Sequence, residues 1–195
     1  MFLVRRPSPR AIDAFLETSS TLPLSYEPVG LARHEAAGFR HDRHDAVVGQ
    51  GPGAFERASR LIAAWKQFDL GWIEVFPPRA PLQTGTVVAV LARHFGFWSL
   101  NGCRIVYTIE GEHEFGFAYG TLTNHAESGE EIFQVSLDPR TGSVSYLIRA
   151  TSRPRAAMGK LGSPIARSLQ ARFRRESAAA MTRAIEHSSR PTDTA

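Results

Sequence analysis

The sequence contains very little cysteine and no long apolar run. Cys103 is the only cysteine in 195 residues, which excludes an intramolecular disulfide framework and a zinc site built from several cysteines. It lies in an apolar run, where a buried and inert thiol is expected. No stretch reaches the roughly 18 apolar residues of a membrane-spanning helix, and the first residues do not form a signal peptide. We therefore expect a soluble protein of the cytoplasm.

The motifs of several common enzyme classes are also absent. The chain has no GxSxG nucleophile elbow and no P-loop. The segment 49–53 (GQGPG) lacks the GxGxxG spacing of a phosphate cradle, so we interpret it as a tight turn. The His residues include no His-x-x-x-His pair, and His113 and His125 could meet with neighbouring glutamates only if the loops fold back. The sequence therefore predicts no metal site and no cofactor.

Charge is distributed unevenly along the chain. Residues 1–148 carry 13 basic and 16 acidic side chains, whereas residues 149–195 carry 10 basic and 3 acidic ones. The basic C-terminal part raises the hypothesis of a nucleic-acid or anionic-surface partner. No nucleic-acid motif accompanies it, and its arginines lie mainly off the apolar stripe of a helix. We interpret them as a solvated face and do not expect a nucleic-acid partner.

Three segments have the pattern of amphipathic helices. Ser-Pro at 8–9 is typical of a helix N-cap and first helical position, and predicts a short helix that ends before Pro23. Apolar residues at helical spacing predict a second helix over 54–68. Ser-Pro at 163–164 repeats the start signal and predicts a long C-terminal helix that ends near residue 187.

From residue 72 to residue 151 the apolar residues alternate with a period of two, which is typical of β-strands. The runs rich in Val, Ile, Phe and Tyr are 72–76, 86–95, 103–110, 114–122, 131–137 and 144–151. Their separators are too short for a parallel return, so neighbouring strands are expected to be antiparallel. A further strand is expected over 39–48.

This order of elements predicts an α+β fold. One long helix laid across a curved antiparallel sheet covers the apolar face of that sheet. The topology resembles the helix-grip architecture of START-like and Bet v 1-like proteins, which implies a cavity between helix and sheet. We expect a sheet of about six to seven strands wrapped on the C-terminal helix. The expected organisation is an N-terminal helical extension (1–23), a single START-like domain (24–187) and a flexible tail (188–195).

The strand 114–122 carries aromatic side chains in phase. Side chains alternate between the two faces of a strand, and aromatic residues in phase belong on a covered face. The residues on that face are Phe115, Phe117, Tyr119 and Thr121. The small residues on the other face, between Gly116 and Gly120, indicate that another segment approaches closely there.

Glu131 is the side chain that we single out for function. It is in phase with Phe133 in the next strand and therefore points inward, whereas Glu130 points outward. A carboxylate on a covered face must be paired, hydrogen-bonded or protonated. Glu131 could serve as a general base or as a polar anchor for a ligand, or it could lie at a wet strand rim and bond a turn amide.

Further groups could take part in acid–base chemistry or line a cavity. His125 and Glu127 lie in the turn between these strands, where they form either an acid–base pair or part of a solvated turn. Tyr107 and Tyr119 are either phenols on a cavity wall or core rings. The catalytic candidates are Glu131, Tyr119 and His125. The predicted ligand-binding residues are Tyr107, Phe115, Phe117, Tyr119, Thr121, Glu131, Phe133 and Tyr146.

One motif of the chain is specific enough to suggest a family. It is Gly116-Phe117-Ala118-Tyr119-Gly120-Thr121-Leu122, followed by His125, Gly129-Glu130-Glu131 and Phe133. Shorter matches are Tyr26-Glu27-Pro28-Val29-Gly30, Gly49-Gln50-Gly51 with Phe55 and Ala58, Trp65, Cys103-Arg104-Ile105-Val106-Tyr107, and Ser152-Arg153-Pro154 with Pro164 and Gln170. Over residues 24–185 the chain resembles the uncharacterised protein family 0548, which is grouped with START-like proteins. The resemblance implies that fold and no catalytic assignment.

Three functions remain as hypotheses. The first is the binding of a small apolar or amphipathic molecule in a cavity between the sheet and the C-terminal helix. The second is an enzyme in the same cavity that uses Glu131, Tyr119 and His125 as acid–base groups. The third is the binding of nucleic acid or an anionic surface by the Arg-rich C-terminal helix. The sequence indicates no oligomeric state.

Overall fold

A computed structural model describes residues 1–155 and 163–188, with side chains for 1–155 and 167–188. Its helices are α1 (Pro9–Ser20), α2 (Pro52–Ala63) and α3 (Ser163–Ser188). Its strands are β1 (Phe2–Leu3), β2 (Arg40–Gln50), β3 (Ile73–Phe76), β4 (Val87–His94), β5 (Phe97–Glu110), β6 (Glu114–Thr121), β7 (Glu127–Leu137) and β8 (Ser143–Pro154). Within these ranges, every helix falls short of the length or the apolarity that a bilayer crossing requires. The tail expected at 188–195 lies, apart from Ser188, outside the described residues.

All eight strands described here join one antiparallel sheet. Its order is β2-β8-β7-β6-β5-β4-β3, and β1 pairs with β5 beside this path. Strands β3 to β8 are neighbours in chain order, as their short separators predict. The first long strand, β2, crosses over to pair with β8 and forms the far edge. The predicted α+β helix-grip class is confirmed, with a slightly larger sheet than expected.

The inner face of the sheet packs on α2 and α3 through an aromatic core. The ring centroids of Trp65 and Phe117 are 4.8 Å apart, and those of Phe68 and Phe133 are 5.2 Å apart. Phe173 of α3 lies 5.3 Å from Phe68. Tilted rings at these distances bury a large apolar area. This core therefore joins both helices to the middle of the sheet.

The helix predicted over 54–68 ends early. α2 stops at Ala63, Trp65 adopts a left-handed conformation with φ of 59°, and a 3₁₀ helix follows at Lys66–Phe68. Trp65 and Phe68 are nevertheless buried, and Trp65 Nε1 donates to the Ala80 carbonyl at 2.8 Å. The helical spacing thus predicted the buried side chains correctly and the backbone wrongly, because tertiary packing overrides local helix propensity.

The outer face of the sheet is also covered. α1 packs on β4 and β5 through Ile12, which contacts the cluster of Leu91 and Leu100. The segment 24–39 covers β6 and β7, with Ala32 fully buried against them. The molecule therefore has a helix or an ordered segment on each side of one sheet.

The first 23 residues are integrated into this packing. In β1, Phe2 pairs with Ser99 and Leu3 with Trp98. The N-terminal ammonium donates to the Leu100 carbonyl at 2.8 Å. The predicted N-terminal helix is present as α1, which packs on the outer face of the sheet, whereas β1 extends the sheet beside β5.

Candidate functional site

A cavity of about 350 Å³ lies between α3 and the inner face of the sheet. Its apolar lining includes Phe68, Trp72, Ile73, Val90 and Phe173. Its polar lining includes Tyr119, His125, Glu127, Glu131, Gln170 and Arg174. Most of these polar residues lie near the end of β6, in the first half of β7 and in the first half of α3. The cavity therefore combines an apolar wall with one group of polar side chains.

Tyr119 and Glu131 are direct cross-strand neighbours in β6 and β7. Tyr119 Oη donates to Glu131 Oε2 at 2.8 Å. Burial raises the pKa of Glu131 to about 7, although the hydrogen bond from Tyr119 and the charge of Arg174 oppose the rise. Burial also raises the pKa of Tyr119 well above its usual value. Near neutral pH, Glu131 therefore exists in both protonation states while Tyr119 keeps its proton.

Glu127 joins the cavity wall to α3 and β8. Gln170 Nε2 donates to Glu127 Oε1 at 2.7 Å, and Ser152 Oγ donates to Glu127 Oε2 at 3.0 Å. Burial raises the pKa of Glu127. Because its oxygens already accept hydrogen bonds from two elements, Glu127 holds α3 in place over β7.

His125 lines the cavity as a neutral imidazole. The backbone N–H of Glu127 donates to His125 Nδ1 at 2.9 Å, which leaves Nε2 as the protonated nitrogen. Burial lowers the pKa of His125 to about 4. The hydrogen bond between these residues involves the backbone of Glu127, whose carboxylate is bonded to Gln170 and Ser152.

Arg174 brings a positive charge to the same part of the cavity. Its Nη2 lies 3.2 Å from Asp42 Oδ1, and Asp42 also pairs with Arg40 at 2.7 Å. The Arg174 side chain is 14% exposed. The expectation that the arginines of α3 form a solvated face is therefore wrong for Arg174. Its charge lowers the pKa of Glu131, whereas the carboxylates of Glu127 and Asp42 raise it.

Trp72, which directly precedes β3, is hydrogen-bonded to α3 and so connects that side of the cavity to the helix. Trp72 Nε1 donates to Glu176 Oε2 at 2.6 Å, and Arg172 Nε donates to Glu176 Oε1 at 2.7 Å. The Arg172 guanidinium also lies 4.6 Å above the centre of the Trp72 ring. Arg172 is therefore a second arginine of α3, after Arg174, that interacts with other side chains of the protein.

The predicted ligand-binding residues fall into three groups. Those that line the cavity are Tyr119, Thr121 and Glu131. Those in the core beside it are Phe115, Phe117, Phe133 and Tyr146. The core group shares the inner face of the sheet with the cavity, as the strand pattern predicts. It is covered by α2, the following 3₁₀ helix and α3, and the position of those helices could not be derived from strand periodicity.

Tyr107 forms the third group, and the expectation that it faces the cavity is wrong. A β-bulge lies between Ile105 and Tyr107, because Ile105 pairs with Tyr119 whereas Tyr107 pairs with Ala118. One extra residue in a strand moves the following side chains to the other face. Tyr107 Oη therefore lies outside, where it donates to Glu130 at 2.7 Å.

Glu130 is a buried carboxylate that the strand pattern placed in solvent. It points to the outer face, as predicted, but the segment 24–39 covers it. Its Oε2 accepts hydrogen bonds from Tyr26 Oη at 2.6 Å and from the Gly30 amide at 2.9 Å, and its Oε1 accepts from the Ala32 amide at 3.2 Å. The motif at 26–30 thus provides donors for Glu130, a role that sequence spacing does not reveal.

The small residues on the outer face of β6 let another part of the chain approach closely, as predicted. A Cβ on Gly120 would lie 2.4 Å from Tyr26 Oη, so a side chain at that position would displace the ring. The prediction of a close approach on this face is confirmed, and the approaching group is Tyr26. Burial raises the pKa of Tyr26, and the hydrogen bond to Glu130 raises it further.

Two expectations concern metal binding and Cys103. Among the residues with described side chains, no group of three or more His, Cys, Asp or Glu is arranged to hold a metal ion. Cys103 is fully buried, and burial raises the pKa of its thiol. A thiol in such surroundings is a poor nucleophile, which agrees with the inert cysteine expected from the sequence.

The long antiparallel sheet, the C-terminal helix across it and the cavity between them form the helix-grip fold of START-like and Bet v 1-like proteins. Solved structures agree. The di-domain ARO/CYC StfQ of the steffimycin biosynthetic pathway superimposes with a TM-score of 0.55 at 8% identity, over 77% of this chain and 52% of that one. Norcoclaurine synthase of Thalictrum flavum, in complex with a transition-state analogue, gives 0.50 at 15% identity over 80% of this chain and all of the other. At such identities the likeness concerns the fold alone.

The family is established by sequence. The family described as a domain of unknown function, DUF1990, matches residues 25–180, and the chain therefore belongs to it. A UPF0548 protein of Deinococcus radiodurans is 31% identical over 199 residues, which cover 94% of this chain and 98% of that protein. A UPF0548 protein of Dictyostelium discoideum is 29% identical over 207 residues, with 95% and 96% covered. The resemblance to protein family 0548 is confirmed.

Proposed function

We propose that the cavity between α3 and the sheet binds a small amphipathic molecule, with the polar end of that molecule against Glu131 and Tyr119. The observation that carries this proposal is the cavity itself, an apolar space with one hydrogen-bonded carboxyl–phenol pair in its wall. Its volume of about 350 Å³ falls within the range of ligand pockets, roughly 300–1,000 Å³.

The lining determines how such a molecule would lie. The aromatic side chains of Phe68, Trp72 and Phe173 would contact its apolar body. Glu131 as a carboxylic acid donates a hydrogen bond, and as a carboxylate it accepts one, so it suits a hydroxyl, carbonyl or amine group. Convergent polar groups on an apolar wall fix orientation and specificity in small-molecule sites.

A titration with a fluorescent amphipathic probe, 1-anilinonaphthalene-8-sulfonate, tests this proposal. Ala92 lines the cavity, so Ala92→Trp would fill part of it. Ala179 is exposed on α3, so Ala179→Trp adds the same side chain outside. We expect Ala92→Trp to weaken probe binding by at least about tenfold, or 1.4 kcal/mol, and Ala179→Trp to leave it unchanged. Equal affinity in all three proteins, each shown to be folded by circular dichroism, contradicts the proposal.

The titration of Glu131 supports a second candidate, an enzyme that transfers a proton in the same cavity. A general acid or base works best when its pKa lies near the working pH, and burial raises the pKa of Glu131 to about 7. The Tyr119 hydroxyl is bonded to the same carboxyl group and would hold it in position.

This candidate is tested by incubating the protein with a panel of small metabolites and following their masses. Any conversion should be lost in Glu131→Gln, which removes the titrating group, while the protein stays folded and its thermal stability is not reduced. Tyr119→Phe should reduce the rate less, because the carboxyl group stays. Conversion at an unchanged rate in Glu131→Gln excludes Glu131 from the chemistry.

A further inference from the structure

Large apolar side chains are exposed together at one corner of the sheet. We call this surface the tip patch: Phe2, Val4, Phe95 and Phe97. Phe95 is 72% and Phe97 50% exposed. The strand register explains why they meet, since the pairing of Phe2 with Ser99 places Val4 beside Phe97 on the neighbouring strand. Exposed apolar side chains gathered in this way mark an interaction site more often than scattered ones do.

The tip patch projects from the sheet. Phe95 and Gly96 form the turn between β4 and β5, with φ values of 50° and 81°. The last pair between β3 and β4 joins Ile73 to Ala92, so the turn extends past the end of the neighbouring strand. A projecting tip with two exposed phenylalanines suits insertion into a soft layer better than docking into a rigid partner.

The tip patch is continuous with the cavity. Phe2, His94 and Ser99 all line the cavity, and Phe2 is also half-exposed on the surface. The rings of Phe2 and His94 are in edge contact, with centroids 6.1 Å apart. The apolar lining of the cavity therefore reaches the protein surface at the tip patch.

The chain segments that carry the tip patch hold only basic charges, and one of these, Arg6, is paired with Glu74 of β3 at 2.7 Å. Residues 1–12 and 75–109, which contain the patch and its flanking chain, include no Asp or Glu. Arg5 and Arg93 lie next to the patch and are exposed. A surface that combines exposed aromatic residues with flanking arginines is complementary to an anionic lipid interface, where rings enter the headgroup region and guanidinium groups pair with phosphates.

We propose that the tip patch docks on anionic lipid bilayers, with Phe95 and Phe97 inserted at the headgroup level and Arg5 and Arg93 against the phosphates. This role goes beyond ligand binding and does not require it. Docking also places the surface end of the cavity against the bilayer. A second consequence rests on the proposed function: an amphipathic molecule bound in the cavity would pass between membrane and cavity without crossing water.

Flotation with lipid vesicles tests the proposal on the full chain. Vesicles of phosphatidylcholine mixed with phosphatidylserine should carry the protein upward, and vesicles of phosphatidylcholine alone should carry much less. Phe95→Ser with Phe97→Ser should reduce binding by about tenfold or more, because two large apolar side chains are lost from the interface. Arg5→Ser with Arg93→Ser should weaken binding and reduce its dependence on salt.

Matched controls come from exposed apolar residues elsewhere. Val47 on β2 is 67% and Val29 52% exposed, and replacing both by Ser should leave flotation unchanged. Phe95 and Phe97 are outside the cavity lining, so their variant should still bind the fluorescent probe. This separates a failure of membrane docking from a failure of ligand binding.

Three results overturn the proposal. The first is that the wild-type protein floats with neither type of vesicle. The second is that the Phe95/Phe97 variant floats as well as the wild type. The third is a dimer in light scattering that the same variant dissociates, since the tip patch is then an interface between two copies of this chain.

Discussion

Glu130 and Glu131 are adjacent in β7, and their carboxyl groups lie on opposite faces of the sheet in contrasting surroundings. Glu130 accepts hydrogen bonds from Tyr26, Tyr107 and two backbone amides of the covering segment. Glu131 receives a hydrogen bond from Tyr119 and lines the cavity. The first carboxylate ties the covering segment to the sheet, and the second is a titrating group on a cavity wall.

The same substitution should therefore affect the two residues differently. Glu130→Gln places an NH₂ group among hydrogen-bond donors, and we expect it to lower the free energy of unfolding by about 2–4 kcal/mol. Glu131→Gln at neutral pH should not lower it and should raise it by up to about 2 kcal/mol, because a neutral amide replaces a carboxyl group whose ionisation burial disfavours. Urea unfolding at pH 7 measures both. A larger loss for Glu131→Gln than for Glu130→Gln contradicts the assignment of roles.

Gly120 and Tyr26 should be energetically coupled. A Cβ at position 120 would lie 2.4 Å from Tyr26 Oη, so Gly120→Ala should cost about 1–3 kcal/mol. When Tyr26→Ala removes the ring, the additional cost of Gly120→Ala should fall close to zero. A double-mutant cycle from urea unfolding measures the coupling. Strictly additive costs would show that the ring is not what excludes a side chain at this position.

The pH dependence of stability should reveal Glu131. Its pKa is about 7 in the folded protein against an ordinary value of 4.5, so the folded state binds the proton more tightly. The resulting stabilisation is complete below about pH 4.5 and is lost as the pH rises through about 7. Relative to Glu131→Gln, the wild type should lose roughly 2 kcal/mol across this interval. Unfolding free energies of both proteins should be measured between pH 4.5 and pH 7. If those of the wild type and Glu131→Gln change in parallel, Glu131 does not titrate in this range.

His125 should behave in the opposite sense. Burial lowers its pKa from 6.5 to about 4, so its contribution to stability is present above pH 6.5 and is lost as the pH falls through about 4. Nitrogen NMR of the imidazole should show a neutral ring with the proton on Nε2 at pH 6, since Nδ1 accepts from the Glu127 amide. The exposed histidines of the same sample provide the reference. A charged His125 ring at that pH contradicts the geometry.

Much of the sheet could be predicted from the sequence, because alternation of side chains is a local property. Periodicity alone places Tyr119 and Glu131 on the same face, and the two residues are cross-strand partners. Gly120 likewise indicated a close approach on the other face, which Tyr26 makes.

Some predictions from the sequence are wrong for physical reasons that side-chain periodicity does not encode. The bulge before Tyr107 adds one residue to β5 and moves its ring to the outer face. Glu130 is covered by a segment with no helix or strand longer than the short 3₁₀ helix Leu31–Arg33, so periodicity does not predict its burial. Arg174 faces the cavity because Asp42 on β2 pairs with it, and that pairing depends on a crossover between distant parts of the chain.

Native mass spectrometry of the purified protein tests the central claim, ligand binding in the cavity, most directly. After incubation with a mixture of small amphipathic molecules, the wild-type protein should retain one molecule per chain, and denaturation should release it. Ala92→Trp should retain none, whereas Ala179→Trp should match the wild type. If the wild type retains no molecule, or if Ala92→Trp retains as much as the wild type, the cavity is not the binding site.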